Sequence, residues 1–432
     1  MPKKSNSSLS ERDARIIWHP FTQHQIEPIS IPIVSGKGAE LFDEEGKIYI
    51  DAISSWWVNI HGHANPYMAK KIYEQALQLE QVIFAGFTHE PAIQLAERLL
   101  SHLPQQFEKV FFSDNGSTAV EVAIKMALQY YFNLGQHSKR KILAFEDAYH
   151  GDTFGAMSLG APSLFNAPFQ EMLFEVEFLP NPQKSEECIQ ALQEKMQHSE
   201  EYAAFIFEPL IQGAGGMFMY QAETLDQLIE LAQKNGVLCI ADEIMTGFGR
   251  TGKWFAMDYL NHKPDIACFS KGLTGGMMAL GATCCSNQLF EAFLSQDRIK
   301  TLFHSHSFTA NPLACAAANS SMDLMEQAET WENIERIVEK HQIWKQKLDK
   351  HPVLQNVRQQ GTIIAFELET GESQGYTHSI RDVAYRYFIE KGILLRPLGN
   401  TLYILPPYCI TNQQLDFIYQ EIENFANQLA QK

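Results

Sequence analysis

Val237-Leu-Cys-Ile-Ala-Asp-Glu-Ile-Met-Thr-Gly-Phe-Gly-Arg-Thr-Gly-Lys253, followed shortly by Asp265-Ile-Ala-Cys-Phe-Ser-Lys-Gly272, decides how this chain is read. The first apolar run, Val237 to Ala241, ends on two acids, Asp242 and Glu243. The second ends in Ser270-Lys271-Gly272, and a Gly/Thr-rich segment separates the two. A short apolar run bounded by turn residues reads as a buried strand of a largely parallel sheet. Ligands of such sheets collect at the carboxyl ends of the strands. Asp242 and Lys271 are therefore expected to project from strand ends on one rim, facing one crevice. Either residue alone reads as a turn cap or a solvated lysine; the pair, on successive strand ends, reads as a site.

A carboxylate and an amine so placed are what pyridoxal 5'-phosphate (PLP) chemistry needs. The lysine forms a Schiff base with the cofactor aldehyde, and the carboxylate pairs with the pyridine nitrogen and keeps it protonated. The block Ile240 to Ile244, Thr246 to Lys253 and Ser270 to Gly272 resembles the signature of the class III (ornithine/GABA-type) aminotransferases of PLP fold type I. That resemblance implies an α/β fold: a large domain with a mostly parallel sheet flanked by helices, plus a small α+β domain.

Composition sets the outer limits. A chain of 432 residues supports more than one lobe. A net charge of −17 argues against nucleic acid or an anionic membrane surface as partner. Seven cysteines, scattered through expected core strands, read as buried thiols rather than a disulfide framework. The polar start, Met1 to Ser10, is followed by no apolar stretch, and no apolar run is long enough to span a bilayer, so a cytoplasmic location is expected. His304 and His306 stand close together without a third ligand pattern, so no metal site is expected.

Outward from the central block, residues 1–12 read as a frayed tail. Ile33 to Ile50 carries turn signals at Ser35-Gly36 and Glu45-Gly46 between β-rich runs, a small antiparallel meander. Asp51 to His63 has neither helical nor strand period. Its adjacent Trp56 and Trp57 would point to opposite sides of an extended chain, so at most one should line a pocket. Amphipathic helices are expected at 66–82 and 91–103, and strands at Lys109 to Ser113, Lys141 to Phe145 and Ala203 to Phe207. Asp114-Asn-Gly-Ser117 opens a helix after a strand, which makes an anion site from exposed N–H groups and the helix dipole. Beyond about residue 333, helices alternate with strands in Gly361 to Leu368, Ile393 to Leu395 and Thr401 to Leu405. The domain reading is an N-terminal arm with part of the small domain over 1–60, the large PLP-binding domain over 61–332, and the C-terminal small domain over 333–432.

The resemblance assigns roles residue by residue. Lys271, Asp242 and Tyr149 form the catalytic group, with Tyr149 packing on the cofactor ring. Gly116 and Ser117 hold the phosphate, joined by His306 and Ser307 on a loop that crosses to the other subunit's cofactor, so a homodimer is implied. Glu208 is read as orienting neighbouring loop groups rather than reacting. Within the family, Trp18-His-Pro20, Ser54-Ser-Trp-Trp57 and the following His61-Gly62 resemble the diaminopelargonic acid synthases of biotin biosynthesis. That likeness implies amino transfer to 8-amino-7-oxononanoate, giving 7,8-diaminononanoate, and a substrate pocket of Phe21, Trp56, Tyr149, Lys271, Ser305 and Arg396. Members using S-adenosylmethionine as donor typically have tyrosine where this chain has Phe21, and His-Gly-Pro-Thr where it has His304-Ser-His-Ser307. Both departures resemble members that take L-lysine. The alternatives are another class III enzyme acting on an ω-amino acid, expected to lack Ser54-Ser-Trp-Trp57, and a non-catalytic PLP-fold binding protein, expected to have lost Lys271 or Asp242. A nicotinamide oxidoreductase is weaker, since no Gly-x-Gly-x-x-Gly follows the first strand.

Overall fold

A seven-stranded sheet forms the centre of the molecule in the computed structural model, which describes residues 8–27, 30–348, 351–370 and 378–431. Across the sheet the strands run Phe107–Ser113, Gly281–Ser286, Ile266–Phe269, Leu238–Asp242, Tyr202–Phe207, Lys141–Phe145 and Glu177–Leu179. Six are mutually parallel, and Gly281–Ser286 runs antiparallel to both of its neighbours. Tyr202–Phe207 and Ile266–Phe269 are buried at every position, which explains their unbroken apolar character. Leu238–Asp242 lies between them, with Ile240 beside both Ile206 and Ile266. That register sets Asp242 against Cys268, three residues before Lys271.

The helix Gly116–Asn133 covers one sheet face, burying Val120, Ala123, Ile124, Ala127 and Tyr131 at the expected spacing. Burying a side chain the size of Val120 or Ile124 contributes about 1.5–3 kcal/mol. The expected helices at 66–82 and 91–103 are Pro66–Ala76 and Glu90–His102; the first stops well short, and the chain leaves it at Leu77.

A second sheet joins the two ends of the chain. The antiparallel meander Ile33–Lys37, Glu40–Asp43 and Ile48–Asp51 accepts Ile393–Leu394 alongside its last strand, in parallel. The turn expected at Ser35-Gly36 falls at Gly38 instead, where φ is +59°; Ser35 and Gly36 are paired within the first strand. A three-stranded antiparallel sheet of Leu354–Gln360, Ile363–Leu368 and Thr401–Ile404 completes this lobe.

The tail reading needs correction over its described part. Ser8 caps a short helix, Leu9–Ala14, by accepting the Glu11 N–H while Glu11 accepts the Ser8 N–H. A capping box satisfies donors that a frayed chain leaves to water. Residues 1–7 of that reading lie outside the described residues. All seven cysteines are free thiols, six of them buried. No helix among the described residues is long and apolar enough to cross a membrane.

Candidate active site

Five parallel strands end at one cavity of about 770 Å³. Ser113 leads to Asp114–Ser117, Phe145 to Tyr149–Thr153, Phe207 to Glu208, Asp242 ends its own strand, and Phe269 leads to Ser270 and Lys271; all of these segments line the cavity. The structure therefore brings Gly116, Ser117, Tyr149, Asp242 and Lys271 together, with Phe21, Trp56 and Arg396 closing the opposite side.

The floor is held by buried hydrogen bonds. Asp242 Oδ1 accepts the Ile244 N–H at 3.1 Å, and Asp242 Oδ2 lies 2.7 Å from His150 Nδ1. His150 is 3% exposed, and its Nε2 has no partner. Glu208 receives the Tyr149 N–H at 3.0 Å and the Gly213 N–H at 2.8 Å, tying two loops to one carboxylate. Burial pushes the Glu208 carboxyl up to about 7, with nearby Asp242 adding to the rise and His150 and the two N–H groups opposing it. Burial pulls the Lys271 amine down to about 8, against the attraction of Asp242 and Glu208 and with help from Arg250. Burial and the adjacent Asp152 carboxylate raise the Tyr149 hydroxyl, so it stays protonated at neutral pH.

One end of the cavity is a helix N-terminus. Asn115 caps it by accepting the Thr118 N–H at 3.0 Å, leaving the first helical N–H groups, at Gly116 and Ser117, facing the cavity. The Ser117 hydroxyl accepts the Asp152 N–H at 3.2 Å, so its own proton remains available to a ligand oxygen. Gly151, at φ +131°, allows this approach: a Cβ there would stand 2.1 Å from Ser117 Oγ. This donor set fits PLP. An anion cradle, a buried carboxylate for the ring nitrogen, an aromatic wall at Tyr149 and a lysine amine border one cavity.

The opposite wall is built differently. Phe21, at φ +51°, sets its ring 5.5 Å from Trp56 and 6.1 Å from Phe165. Arg396 lies over Trp56 at 5.3 Å and reaches the Phe21 carbonyl at 3.4 Å.

Trp56 and Trp57 both line the cavity, which overturns the expectation that at most one would. The segment is not extended. Ser54, Ser55 and Trp57 all have positive φ (52°, 60° and 66°), so the chain coils and brings both rings to the same side. Such left-handed residues cost on the order of 1–3 kcal/mol each and persist only where neighbours over-determine them. Here buried Asp51 accepts the Ile53 and Ser55 N–H groups and the Ser55 hydroxyl, and Ser54 Oγ donates to the Leu405 carbonyl at 2.8 Å. Arg250, buried, holds the Pro406 carbonyl at 2.7 Å and the Trp57 carbonyl at 3.4 Å. Trp57 is 5% exposed; its Nε1 donates to Tyr403 Oη at 3.0 Å, and its ring face meets Lys271 Nζ at 4.4 Å.

Ser305, His306 and Ser307 are not among the residues lining this chain's cavity. Gln81 Nε2 donates to the Ser307 carbonyl at 2.6 Å, and His306 Nδ1 accepts the Phe308 N–H at 3.2 Å. His306 Nε2 is buried without a partner, and Phe303 and Phe308 are exposed. Sequence reasoning missed His150 as the partner of Asp242, and Trp57 with Tyr403. Position next to Tyr149 was the only signal for His150; nothing in a lone histidine points to a carboxylate so distant in sequence.

Comparison with known proteins places this geometry. Residues 21–425 match the class-III aminotransferase family. An adenosylmethionine-8-amino-7-oxononanoate aminotransferase from Synechococcus elongatus is 48% identical over 96% of this chain and 99% of its own length. The crystal structure of the enzyme of that name from Methanocaldococcus jannaschii superposes with a TM-score of 0.91 at 35% identity, covering 96% of this chain and 98% of that one. An omega transaminase from Pseudomonas jessenii, solved in complex with PMP, has a TM-score of 0.92 at 26% identity over 98% of this chain and 99% of its own. With its strand-end lysine and carboxylate in one cavity, and a match over almost its whole length, the chain belongs to the class-III aminotransferase family.

Proposed function

We propose that this protein is a PLP-dependent aminotransferase of biotin biosynthesis, converting 8-amino-7-oxononanoate to 7,8-diaminononanoate in the cytoplasm as a homodimer, with S-adenosylmethionine or L-lysine as donor. The carrying observation is Lys271 and Asp242 on neighbouring strand ends of a cavity whose far wall is Phe21, Trp56 and Arg396. The 48% identical relative of that name supports the acceptor.

Bound PLP supplies the aldehyde that takes up the amino group and the ring that draws electrons from the carbon beside it. Everything else falls to the chain. Lys271, pulled to about 8 by burial, holds a substantial neutral fraction near neutral pH, so its Nζ accepts a proton from the substrate carbon and returns it one position away. Asp242 would keep the ring nitrogen protonated, and His150 at Oδ2 with the Ile244 N–H at Oδ1 holds the carboxylate in place. Gly116 and Ser117 would hold the phosphate, and Tyr149 would cover the ring. Arg396 takes the acceptor carboxylate with its planar fork, while Trp56 and Phe21 exclude water from the aliphatic stretch.

In this reading residues 61–332 form the large cofactor-binding domain, residues 1–60 an N-terminal arm with part of the small domain, and residues 333–432 the C-terminal small domain. Ser305, His306 and Ser307 serve the partner's cavity. Their absence from this chain's own cavity, the exposed Phe303 and Phe308 beside them, and the unpartnered His306 Nε2 support that assignment.

An ω-amino acid substrate is the second reading, favoured by the shared fold of the omega transaminase. Purified enzyme given 8-amino-7-oxononanoate with each donor in turn decides. Formation of 7,8-diaminononanoate with either donor is the expected result and names that donor. No diamine with either, together with turnover of an ω-amino acid, would replace the reading.

A further inference from the structure

We propose that Trp57 is a positioning residue for Lys271: its indole face is the seat on which the lysine amine rests whenever that amine is free. The inference rests on Lys271 being the reacting lysine. Lys271 Nζ lies 4.4 Å from the Trp57 ring centroid, within the distance at which an ammonium is attracted to an aromatic face. Indole is the strongest of the natural rings in this role.

The ring cannot easily turn away. Its Nε1–H is bonded to Tyr403 Oη, its edge-to-face contact with that ring spans 6.1 Å, and a Cβ on Gly213 would stand 3.2 Å from its Cζ3. The backbone beneath it is the coiled, positive-φ turn clamped by Asp51, Ser54 and Arg250. Lys271 is itself at φ +47°, so both partners are held in uncommon backbone conformations that bring ring and amine together. Strain of this kind is retained where the geometry it produces is used. The amine must leave and return to the same spot in every cycle, and a soft, non-covalent seat holds its charged form in reach between proton transfers.

The seat has a signature that simple burial lacks. An aromatic face favours the charged amine, whereas an apolar wall disfavours it. The charged groups facing Lys271 are Asp242, Glu208 and Arg250, and none is altered by changing Trp57. The test is trace acetylation of Lys271 in cofactor-free protein as a function of pH, read by peptide mass spectrometry. The unaltered protein should show a midpoint near 8. Trp57→Leu, which keeps an apolar wall but removes the face, should move the midpoint down by roughly half a unit to one unit. Trp57→Phe should fall between the two, and it decides alone if the leucine variant does not fold. A midpoint that stays put or rises in these variants would show that the ring only excludes water, and would overturn the proposal. Diamine formation by the unaltered enzyme reports separately on whether Lys271 serves the proposed reaction.

Discussion

The two sides of the cavity are made in opposite ways. The floor comes from strand ends of a single sheet, and its carboxylates are buried and cross-bonded: Asp242 to His150, Glu208 to two backbone N–H groups. The wall comes from three segments distant in the chain, at Phe21, Trp56 and Arg396. Its aromatics are 41% and 45% exposed, and the hydrogen bond joining Arg396 to Phe21 is long, at 3.4 Å. A buried, doubly bonded group is held more tightly than a half-exposed ring. In the proposed reading the chemistry belongs to the buried side and the choice of substrate to the half-exposed side. Trp57 stands between them, on a wall segment but with the burial of the floor.

Substitutions should separate the two sides. The largest effect belongs to the floor: Lys271→Ala should lower kcat on the order of 10⁴-fold or more while the phosphate cradle still binds cofactor, measured by steady-state turnover and by cofactor retention on gel filtration. Normal turnover would remove Lys271 from the mechanism. On the wall, Arg396→Ala should raise KM for the keto acid by about tenfold or more with kcat changed far less, because a charged hydrogen bond is worth roughly 1.5–3 kcal/mol and this one is partly solvated. An equal loss in kcat would mean that the wall shares in the chemistry.

A smaller effect concerns how the floor is held. Glu208→Gln leaves one backbone N–H without its acceptor, a loss of about 1–3 kcal/mol of stability. The folded-state value of Glu208, about 7, lies above the ordinary 4.5, so between these values the folded protein binds the extra proton. Its stabilisation is then complete below about 4.5 and is lost as pH rises through about 7. The gap in Tm between wild type and Glu208→Gln should accordingly narrow from pH 5 to pH 8; a gap that widens would contradict the burial of that carboxyl. The smallest effect should come from Phe21→Tyr, which adds one hydroxyl on the wall. It should change the rate with S-adenosylmethionine relative to lysine by no more than about tenfold, roughly 1.4 kcal/mol, and leave the keto-acid KM unchanged.

The same contrast governs what could be read from the sequence. Floor residues sit at the ends of unbroken apolar runs, so Asp242, Lys271 and the helix opening at Gly116 were legible from local pattern, and so was the parallel sheet. The joining of Ile393–Leu394 to the N-terminal meander follows from no local signal, although an α+β lobe using both ends was expected. The coil at Ser54–Trp57 was illegible for a physical reason. Positive φ at three residues other than glycine runs against intrinsic preference and is imposed by Asp51, Leu405 and Arg250, partners that lie outside the turn itself. Period-2 reasoning about two adjacent tryptophans therefore failed where tertiary bonds override the local chain.

The most direct test of the floor as the reacting centre is borohydride reduction of the PLP-loaded enzyme followed by peptide mapping. Cofactor fixed to the peptide carrying Lys271, and lost from it when the protein is first treated with an amino donor, is the predicted result. Cofactor fixed to a different lysine, or none fixed at all, would contradict the account.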